Sequence, residues 1–428
     1  MPIKHLYFQS NSAPVQQITY WGSIQGELNM QADLQTQFNS KSDLNHEHNN
    51  LYEPKNSNIQ NHIGDSLIHL PGISGQAGKY LKNDGISNIW ADLPAFLNCI
   101  NVNTTLTVKS GTVDNIATFN TLSDALQSIA NKWIMPSVLV NIEIENGIFT
   151  STSTIVINHP CSERIRIYGK NTYSANFTNL YSYSGTSGSY SVVFVVNDVT
   201  NIEVGNYIMI KTPSTNLLLI KGVWKITAVD TINKRVTCFI TTSRGNPTTG
   251  IMTGSFTIIK SVLKFSATTG IEVRSPLIDI ANLVIEGAII TGQNIYGLYL
   301  NKGLMTCAGN FGISNFETGL RVFAANAFVD GIMISGCRSG SLGYGIYLIN
   351  GANVVAKSAY FTGNYYNIFV TEMSRLDCRS SFILGGYYGV YSERLSITDC
   401  NAITKDNTAD LTPASDTYGN IQAYNNTL

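Results

Sequence analysis

The sequence predicts an all-β protein built around a right-handed parallel β-helix, with a short N-terminal capping helix and an inserted small β subdomain. Two observations lead to this fold class. A four-residue motif recurs at intervals of 22 to 27 residues in the last third of the chain, and no helical pattern lies between its copies. The composition agrees, because 36 glycines and 22 tyrosines among 428 residues favour short strands and turns.

Residues 1–103 form a polar region rich in Asn, Gln and Ser. This region has none of the long apolar runs from which a single chain builds a large core. We therefore expect a linker, or a segment that neighbouring copies of the chain help to order.

Residues 104–189 contain the clearest helical pattern, followed by short strands. Apolar side chains follow a helical spacing from Thr121 to Trp133, and Thr121 and Asp124 have the spacing of a capping box. Alternating apolar residues from Val138 to Ile144 then predict a strand. We interpret this region as a helical cap followed by the first rungs of the β-helix.

Residues 190–260 depart from the rung pattern. They carry several strand-like runs separated by turn residues, which is typical of antiparallel hairpins. A small β subdomain inserted in the solenoid is the simplest interpretation.

Residues 261–405 hold the repeat and are predicted to form the main rungs. Each copy has a turn former, an apolar residue, an outward residue and a second apolar residue. The copies begin at Gly270, Gly297, Gly319, Gly345, Asn367 and Gly389. Because the two apolar positions point to the same side of a strand, they predict two stacked inward columns. A period near 22 residues is too short for a propeller blade and fits about three short strands per rung.

Two cysteines support this register. Asp377-Cys378 and Asp399-Cys400 recur 22 residues apart, at the same offset from the motif. We expect both thiols to stack as packing groups, since free cysteines are commonly buried. Residues 406–428 then form a short tail with little room for a further domain.

Charge and apolar patterning exclude several classes of partner. The chain has 27 Lys+Arg and 28 Asp+Glu, so its net charge of -1 gives no basic field for nucleic acid. No stretch approaches 18 consecutive apolar residues, so no membrane insertion is expected. Seven cysteines without a CxxC pair indicate neither a disulfide framework nor a zinc finger.

Two blocks stand out in the N-terminal region. The first reads HEHNNLYEP at residues 46–54 and SNIQNHI at residues 57–63, and the second reads GQAGKYLKNDG at residues 75–85 before Trp90-Ala91-Asp92. Both resemble the N-terminal parts of tail fibres and tailspikes of tailed bacteriophages. The predicted helix followed by a parallel β-helix is similar to the body of tailspike depolymerases.

The resemblance implies an elongated homotrimer whose N-terminus attaches to phage tail or baseplate proteins. It implies a virion protein, assembled in the host cytoplasm, that acts at the bacterial cell surface. The expected function is recognition, and depolymerisation, of a capsule or O-antigen polysaccharide during host attachment. A non-catalytic receptor-binding or structural fibre is the alternative.

The pair His46 and His48 is a candidate metal site. Three chains around an axis would supply six imidazole nitrogens to one octahedral metal, and the resemblance implies iron, because related fibres bind it through this motif. The alternative is two exposed histidines in a polar linker. The body itself is expected to need no cofactor.

Two carboxylate pairs are candidates for glycoside hydrolysis, which uses carboxylates about 5 to 10 Å apart. Glu143 and Glu145 alternate in one strand, about 7 Å apart, and Asp377 and Asp399 occupy adjacent rungs, about 5 Å apart. Glu272 with Asp279 or Glu286 gives further combinations. The alternative is that these are solvated acids that keep a long sheet surface soluble.

A polysaccharide lyase is the less favoured enzyme class. It needs a base such as Tyr, Lys or His beside an Arg or Lys that neutralises a uronic acid. The body has one histidine, His159, which precedes Pro160 in a predicted turn. Whether the chain is an enzyme at all stays open at this point.

Aromatic residues recur at two outward positions of the repeat. Those expected to bind carbohydrate are Tyr299, Tyr347, Phe369 and Tyr391 in the outward position of the motif, and Tyr366 and Tyr388 just before its first residue, where Tyr296 and Tyr344 also lie. Stacked rings offer flat apolar faces with polar tips, which suit sugar rings. A trimer interface would use the same stripe equally well.

Overall fold

The computed structural model describes residues 79–83, 88–92, 98–186, 188–213, 220–242, 249–288, 292–307, 309–338, 342–407, 409–413 and 420–422. The chain divides into two compact units, residues 1–92 and 93–428. In the first unit, strand β1 (Lys79–Asn83) pairs antiparallel with β2 (Asn88–Asp92). The expected metal ligands His46 and His48 lie outside the described residues.

The second unit is an all-β parallel solenoid of about ten turns, built from three long sheets. Sheet 1 contains β4 (Thr104–Val108), β5 (Thr118–Phe119), β7 (Val140–Ile144), β10 (Ile165–Gly169), β19 (Ile278–Ala281), β22 (Leu304–Cys307), β25 (Asn326–Phe328), β28 (Asn353–Val355), β31 (Arg375–Asp377), β34 (Ile397–Asp399) and β37 (Asn420–Gln422). Sheet 2 contains β8 (Gly147–Ser151), β17 (Ser261–Phe265), β20 (Leu283–Glu286), β23 (Phe311–Ser314), β26 (Met333–Ser335), β29 (Tyr360–Thr362), β32 (Phe382–Leu384) and β35 (Thr404–Asp406). Sheet 3 contains β9 (Ile155–Ile157), β18 (Ile271–Val273), β21 (Tyr296–Asn301), β24 (Thr318–Phe323), β27 (Tyr344–Ile349), β30 (Tyr366–Val370), β33 (Tyr388–Ser392) and β36 (Ala409–Pro413).

Each full rung adds one strand to each sheet in turn, and every rung pairs parallel with the next. We number the rungs by their sheet 3 strands, from rung 1 at β9 to rung 8 at β36. The repeat motif forms the sheet 3 strands of rungs 2 to 7.

The inward columns confirm the predicted register. Ile271, Leu298, Leu320, Ile346, Ile368 and Val390 follow one another as paired residues across sheet 3, and all are buried. They join one core that runs the length of the solenoid. Burial of each such side chain stabilises the fold by about 1.5 to 3 kcal/mol.

Cys378 and Cys400 also stack as expected. Their Sγ atoms lie 3.6 Å apart, and both side chains are buried. The contact with Cys400, together with burial, raises the pKa of the Cys378 thiol well above its ordinary value. The Cys378 thiol is therefore protonated, and the two side chains pack as small apolar groups.

A buried polar network lies beside this core at the turns between sheets 2 and 3. Asn364 Nδ2 donates to Asn367 Oδ1 at 2.9 Å, and Asn367 Nδ2 donates to Asn407 Oδ1 at 2.8 Å. The three amides also bond backbone groups such as Cys337 N and Ile383 O. They satisfy turn atoms that an apolar side chain would leave unpaired.

Helix α1 (Leu122–Ile129) begins where the capping box predicts. Thr121 is its N-cap, and Thr121 Oγ1 accepts a hydrogen bond from Asp124 N at 3.1 Å. The predicted end at Trp133 is wrong, because strand β6 (Lys132–Ile134) pairs parallel with β3 (Asn98–Ile100) and leaves Trp133 exposed. No helix in the described part of the chain is long and apolar enough to cross a membrane.

The chain leaves the solenoid after β10 and returns at β17. Six strands between them close into a barrel: β11 (Thr172–Thr186), β12 (Ser189–Val196), β13 (Tyr207–Pro213), β14 (Gly222–Asp230), β15 (Arg235–Thr241) and β16 (Gly250–Ile259). The barrel starts at Thr172, earlier than the 190–260 range that the sequence indicates. Bulges after Phe177 and Leu180 interrupt the alternation by which a strand is recognised in a sequence.

The barrel covers the outer face of sheet 2. Met209 and Val223 of the barrel lie against Gly312, where an added Cβ would come within 2.8 Å of each side chain. The same interface contains an ion pair between Lys225 and the buried Glu286, with Nζ and Oε1 2.5 Å apart. The barrel thus shields the outer face of sheet 2 from solvent over several rungs, whereas it does not cover the outer faces of sheets 1 and 3.

We predict that Ile346→Ala destabilises the protein more than Tyr347→Ala, although the two residues are adjacent. Ile346 points into the core, so its truncation leaves a cavity and costs about 2 to 5 kcal/mol. Tyr347 points outward and is half-buried. Denaturant unfolding midpoints of the two variants measure the difference, and equal losses would show that the inward register is wrong.

Candidate functional site

The outer face of sheet 3 carries the largest cluster of aromatic side chains among the described residues. We call it the aromatic ladder, and its members are Tyr296 and Tyr299 on rung 3, Tyr344 and Tyr347 on rung 5, Tyr366 and Phe369 on rung 6, and Tyr388 and Tyr391 on rung 7. All eight side chains are half-buried. The structure thus brings the six residues expected to bind carbohydrate onto one face.

The rings of rungs 5 to 7 form a continuous surface. The ring centroids of Tyr366 and Tyr388 are 4.6 Å apart with nearly parallel planes, and those of Phe369 and Tyr391 are 5.0 Å apart in the same arrangement. The rings of Tyr347 and Phe369 meet edge to face at 5.2 Å. Such contacts hold each ring in place before any ligand arrives.

Two further tyrosines, Tyr365 and Tyr387, extend the ladder at its edge, and the four-residue motif did not predict them. Tyr365 and Tyr387 stack with centroids 5.1 Å apart and planes 5° apart. Tyr365 also contacts Tyr366 at 5.2 Å. The signal in the sequence is a Tyr-Tyr pair that recurs after 22 residues, at 365–366 and 387–388.

Arg321 interrupts the ladder on rung 4. It pairs with Tyr299 of rung 3 and Tyr347 of rung 5 in the outward column. Its guanidinium lies 4.7 Å from the ring centroid of Tyr296 and 5.5 Å from each of the other two. The ladder therefore combines apolar ring faces with one cation.

Four of the ladder tyrosines are held as neutral phenols at physiological pH. Burial is the main cause that raises the pKa of Tyr344 and of Tyr366 to about 12, and it also raises the pKa of Tyr347 and Tyr299. A tyrosine that acts as a general base needs a lowered pKa. These four side chains suit hydrogen bonding and stacking better than proton abstraction.

Asp377 and Asp399 stack on sheet 1 as predicted, but both are ion-paired. Arg379 binds Asp377 through two hydrogen bonds of 2.8 and 2.7 Å, and its Nε lies 3.7 Å from Asp399. Burial raises the pKa of Asp377, but the bonds to Arg379 and the charges of Arg379 and Lys357 outweigh it, so the pKa lies below its ordinary value. A general acid needs a raised pKa, so Asp377 is poorly suited to that role.

Glu143 and Glu145 share one cation. Lys170 Nζ lies 2.5 Å from Glu145 Oε1 and 3.5 Å from Glu143 Oε1. Both residues are half-buried; Glu143 points outward from sheet 1, and Glu145 follows directly after the end of β7. The pair is brought together as predicted, and its catalytic role stays a prediction.

The structure separates the other acids considered from sequence. Glu272 lies on sheet 3, Asp279 on sheet 1, and Glu286 on sheet 2 beneath the barrel. Their side chains bind Arg274, Arg166 and Lys225, respectively. These three acids therefore form no common site.

His159 is a structural residue. It is buried, its Nδ1 accepts from Cys161 N at 3.0 Å, and its Nε2 then donates toward Ile129 O and Lys132 O, each at 3.1 Å. Both ring nitrogens are thus occupied. His159, the candidate base for a lyase mechanism, therefore uses both ring nitrogens in hydrogen bonds that stabilise the turn.

Two concave sites lie beside helix α1, away from the ladder. One is lined by hydroxyl side chains such as Ser110, Thr121 and Thr152 around Phe149, and the other by residues including Gln127 and His159. The described lining of either site contains no carboxylate. In the residues that the structure describes, no group of three or more His, Cys, Asp or Glu side chains could hold a metal ion.

Comparisons with known proteins give no family. No family model matches the chain, and no curated protein sequence does. Among solved structures, one described as a glycoside hydrolase is 7% identical with a TM-score of 0.25, covering 76% of this chain and 96% of its own. Another, described as the complex of XylC with xylose, is 8% identical with a TM-score of 0.25, covering 67% of this chain and 64% of its own. The fold description therefore rests on the strand pairing.

We predict that Asp377→Asn reduces thermal stability at neutral pH and loses this effect in acid. A carboxylate whose pKa is lowered in the folded state contributes stability above its unfolded pKa of about 3.9, and this contribution disappears as the pH falls through the folded value. Unfolding midpoints of wild type and variant should therefore converge at low pH.

Arg379→Gln provides the matched background for this measurement. In that background most of the pH-dependent effect of Asp377→Asn should vanish, because the bidentate partner of the carboxylate is gone. An effect of Asp377→Asn that stays constant from neutral to acid pH would contradict the ion-pair assignment.

Proposed function

We propose that this chain is a bacteriophage tail fibre or tailspike that recognises a bacterial surface polysaccharide through the aromatic ladder during host attachment. The observation that carries the proposal is the row of half-buried rings on sheet 3. Polysaccharides are long and repetitive, and a solenoid face repeats the same side chains along its length.

The chemistry of the ladder suits sugars. Flat ring faces contact the C–H face of a pyranose, and the neutral phenol groups at the rim can donate to or accept from sugar hydroxyls. The rings of Tyr347, Phe369 and Tyr391 lie on three successive rungs about 4.8 Å apart. A glycan chain lying along the solenoid would meet one ring after another.

Recognition is favoured over cleavage by the state of the carboxylates. Asp377 and Asp399 share Arg379, and Glu143 and Glu145 share Lys170. The hydrogen bonds and charge of Arg379 stabilise the carboxylate of Asp377, which works against the proton donor that glycoside hydrolysis requires. A depolymerase remains the second candidate, and the experiment below separates the two.

The phage role is supported by the N-terminal blocks at residues 46–63 and 75–92. It entails a homotrimer, attachment to tail or baseplate proteins through the N-terminus, and location in the virion. Iron held by His46 and His48 at the trimer axis belongs to the same proposal, since imidazole suits first-row metals.

The test compares wild type with a Tyr347→Ala, Tyr391→Ala double variant on purified capsular and O-antigen polysaccharides. Affinity electrophoresis measures binding, and size-exclusion chromatography of each polysaccharide measures chain length. We expect wild type to be retarded by at least one polysaccharide and the variant to bind about 30-fold more weakly, the effect of one hot spot of about 2 kcal/mol. Shortened chains would add the depolymerase activity.

Phe328→Ala is the matched control, because Phe328 is an outward aromatic residue on sheet 1 and is 48% exposed. It should bind like wild type. Light scattering reports the oligomeric mass of each variant. If the double variant keeps its affinity, or if it loses the trimer mass while Phe328→Ala keeps it, the ladder is not the binding face.

A further inference from the structure

The ladder contains one cation, Arg321, that is not paired with a carboxylate among the described residues. Among the described residues, no ion pair involves Arg321, whereas Arg274 and Arg394 at the same sheet each bind a glutamate. The guanidinium donates one hydrogen bond to the hydroxyl of Tyr296. Its Nε is buried and has no hydrogen-bond partner in the structure. A buried donor without a partner is destabilising, so Arg321 would gain from an added acceptor.

The acids near the ladder already have partners within the chain, and the buried Glu317 accepts from Asn294 N at 2.9 Å. Glu272 is held by Arg274 through two bonds of 2.7 and 2.9 Å, and Glu372 by Arg394 at 2.9 Å. Glu393 accepts from Thr371 Oγ1 at 3.0 Å. None of these acids pairs with Arg321 among the described residues, so a carboxylate of a ligand would be an anionic partner that the guanidinium lacks.

The surroundings of Arg321 restrict the form of that acceptor. Rings of Tyr296, Tyr299 and Tyr347 lie around the guanidinium and limit the water that can reach it. Rung 4 has the small, buried Thr318 where rungs 3 and 5 have tyrosines, so the aromatic surface is broken there. A planar carboxylate matches the fork of an arginine, and sugars attached to it would meet rings on both sides.

We propose that the aromatic ladder binds an acidic polysaccharide and that Arg321 receives the carboxylate of one of its sugars. This inference rests on the proposed function and narrows its ligand to glycans with uronic or similar sugar acids. The rings of rungs 3 and 5 then contact the sugars that flank the acid. Arg321 is a specificity residue, because a neutral glycan has no carboxylate to bind its guanidinium.

The experiment uses pairs of polymers that differ only in the carboxylate. Native gels are cast with alginate, polygalacturonate, heparosan or polysialic acid, and with the carboxyl-reduced form of each. Dextran and neutral O-antigen polysaccharides complete the panel. The full chain, Arg321→Gln and Arg394→Gln are run side by side, and thermal unfolding confirms that each variant is folded.

We expect wild type to be retarded by at least one acidic polymer about 10- to 100-fold more strongly than by its reduced form, the range of a charged hydrogen bond. Arg321→Gln should lose this preference. Arg394→Gln removes the same charge from a neighbouring exposed site on the ladder side and should keep it.

Equal binding of acidic and reduced forms would overturn the inference, as would an Arg321→Gln variant that binds like wild type. Retardation by neutral polysaccharides only would overturn it too, while leaving the proposed function standing. Retardation by no polysaccharide in the panel would contradict both. Should Arg321→Gln fail to fold, Arg321→Lys takes its place, with a weakened preference expected because lysine cannot form the bidentate contact.

Discussion

The structure depends on one constraint: each rung pairs in register with the next, so that equivalent residues lie directly above one another about 4.8 Å apart. A residue type that recurs at one position of the repeat therefore forms a column of similar side chains along the solenoid. Inward columns of Ile, Leu and Val give a core that continues from rung to rung. The stacked thiols of Cys378 and Cys400 and the buried amides from Asn364 to Asn407 follow from the same pairing.

Stacking like on like has opposite consequences for charges and for rings. Two aspartates one rung apart repel each other, and the pair Asp377 and Asp399 is accompanied by Arg379 between them. Two aromatic rings one rung apart attract, as Phe369 and Tyr391 do. The three sheets differ accordingly: sheet 1 carries neutralised acids, sheet 2 is covered by the barrel, and sheet 3 presents rings to solvent. Among the described residues, sheet 3 is the outer face on which aromatic rings form a continuous surface.

Sheet 3 could be predicted residue by residue because its strands contain the repeat motif. Ile271 and Leu298 pair as expected, and Tyr347, Phe369 and Tyr391 form the outward column. Most strands of sheets 1 and 2 are only three or four residues long, which is too short for a period to be recognised. The barrel start at Thr172 was hidden by the bulges of β11, and the end of α1 by strand pairing that removes Trp133 from the helix.

The site was harder to predict where function depends on partners distant in the sequence. Lys170 lies 25 residues after Glu145 in the sequence. The two side chains meet only because the next rung returns to sheet 1. Arg321 stands in the motif as a single outward residue, and its significance emerges from the rings on the rungs above and below. Two carboxylates at equivalent positions of a repeat are therefore predicted to lie close together. Whether they are available for chemistry depends on cations contributed by other rungs.

The most direct test of the ladder as the binding face is a crystal structure of the protein with an oligosaccharide, prepared from a polysaccharide that it binds. We expect sugar rings stacked on Tyr347, Phe369 and Tyr391, running along the solenoid. An oligosaccharide bound to sheet 1 or to the barrel, with these three rings covered by neighbouring chains, would contradict it.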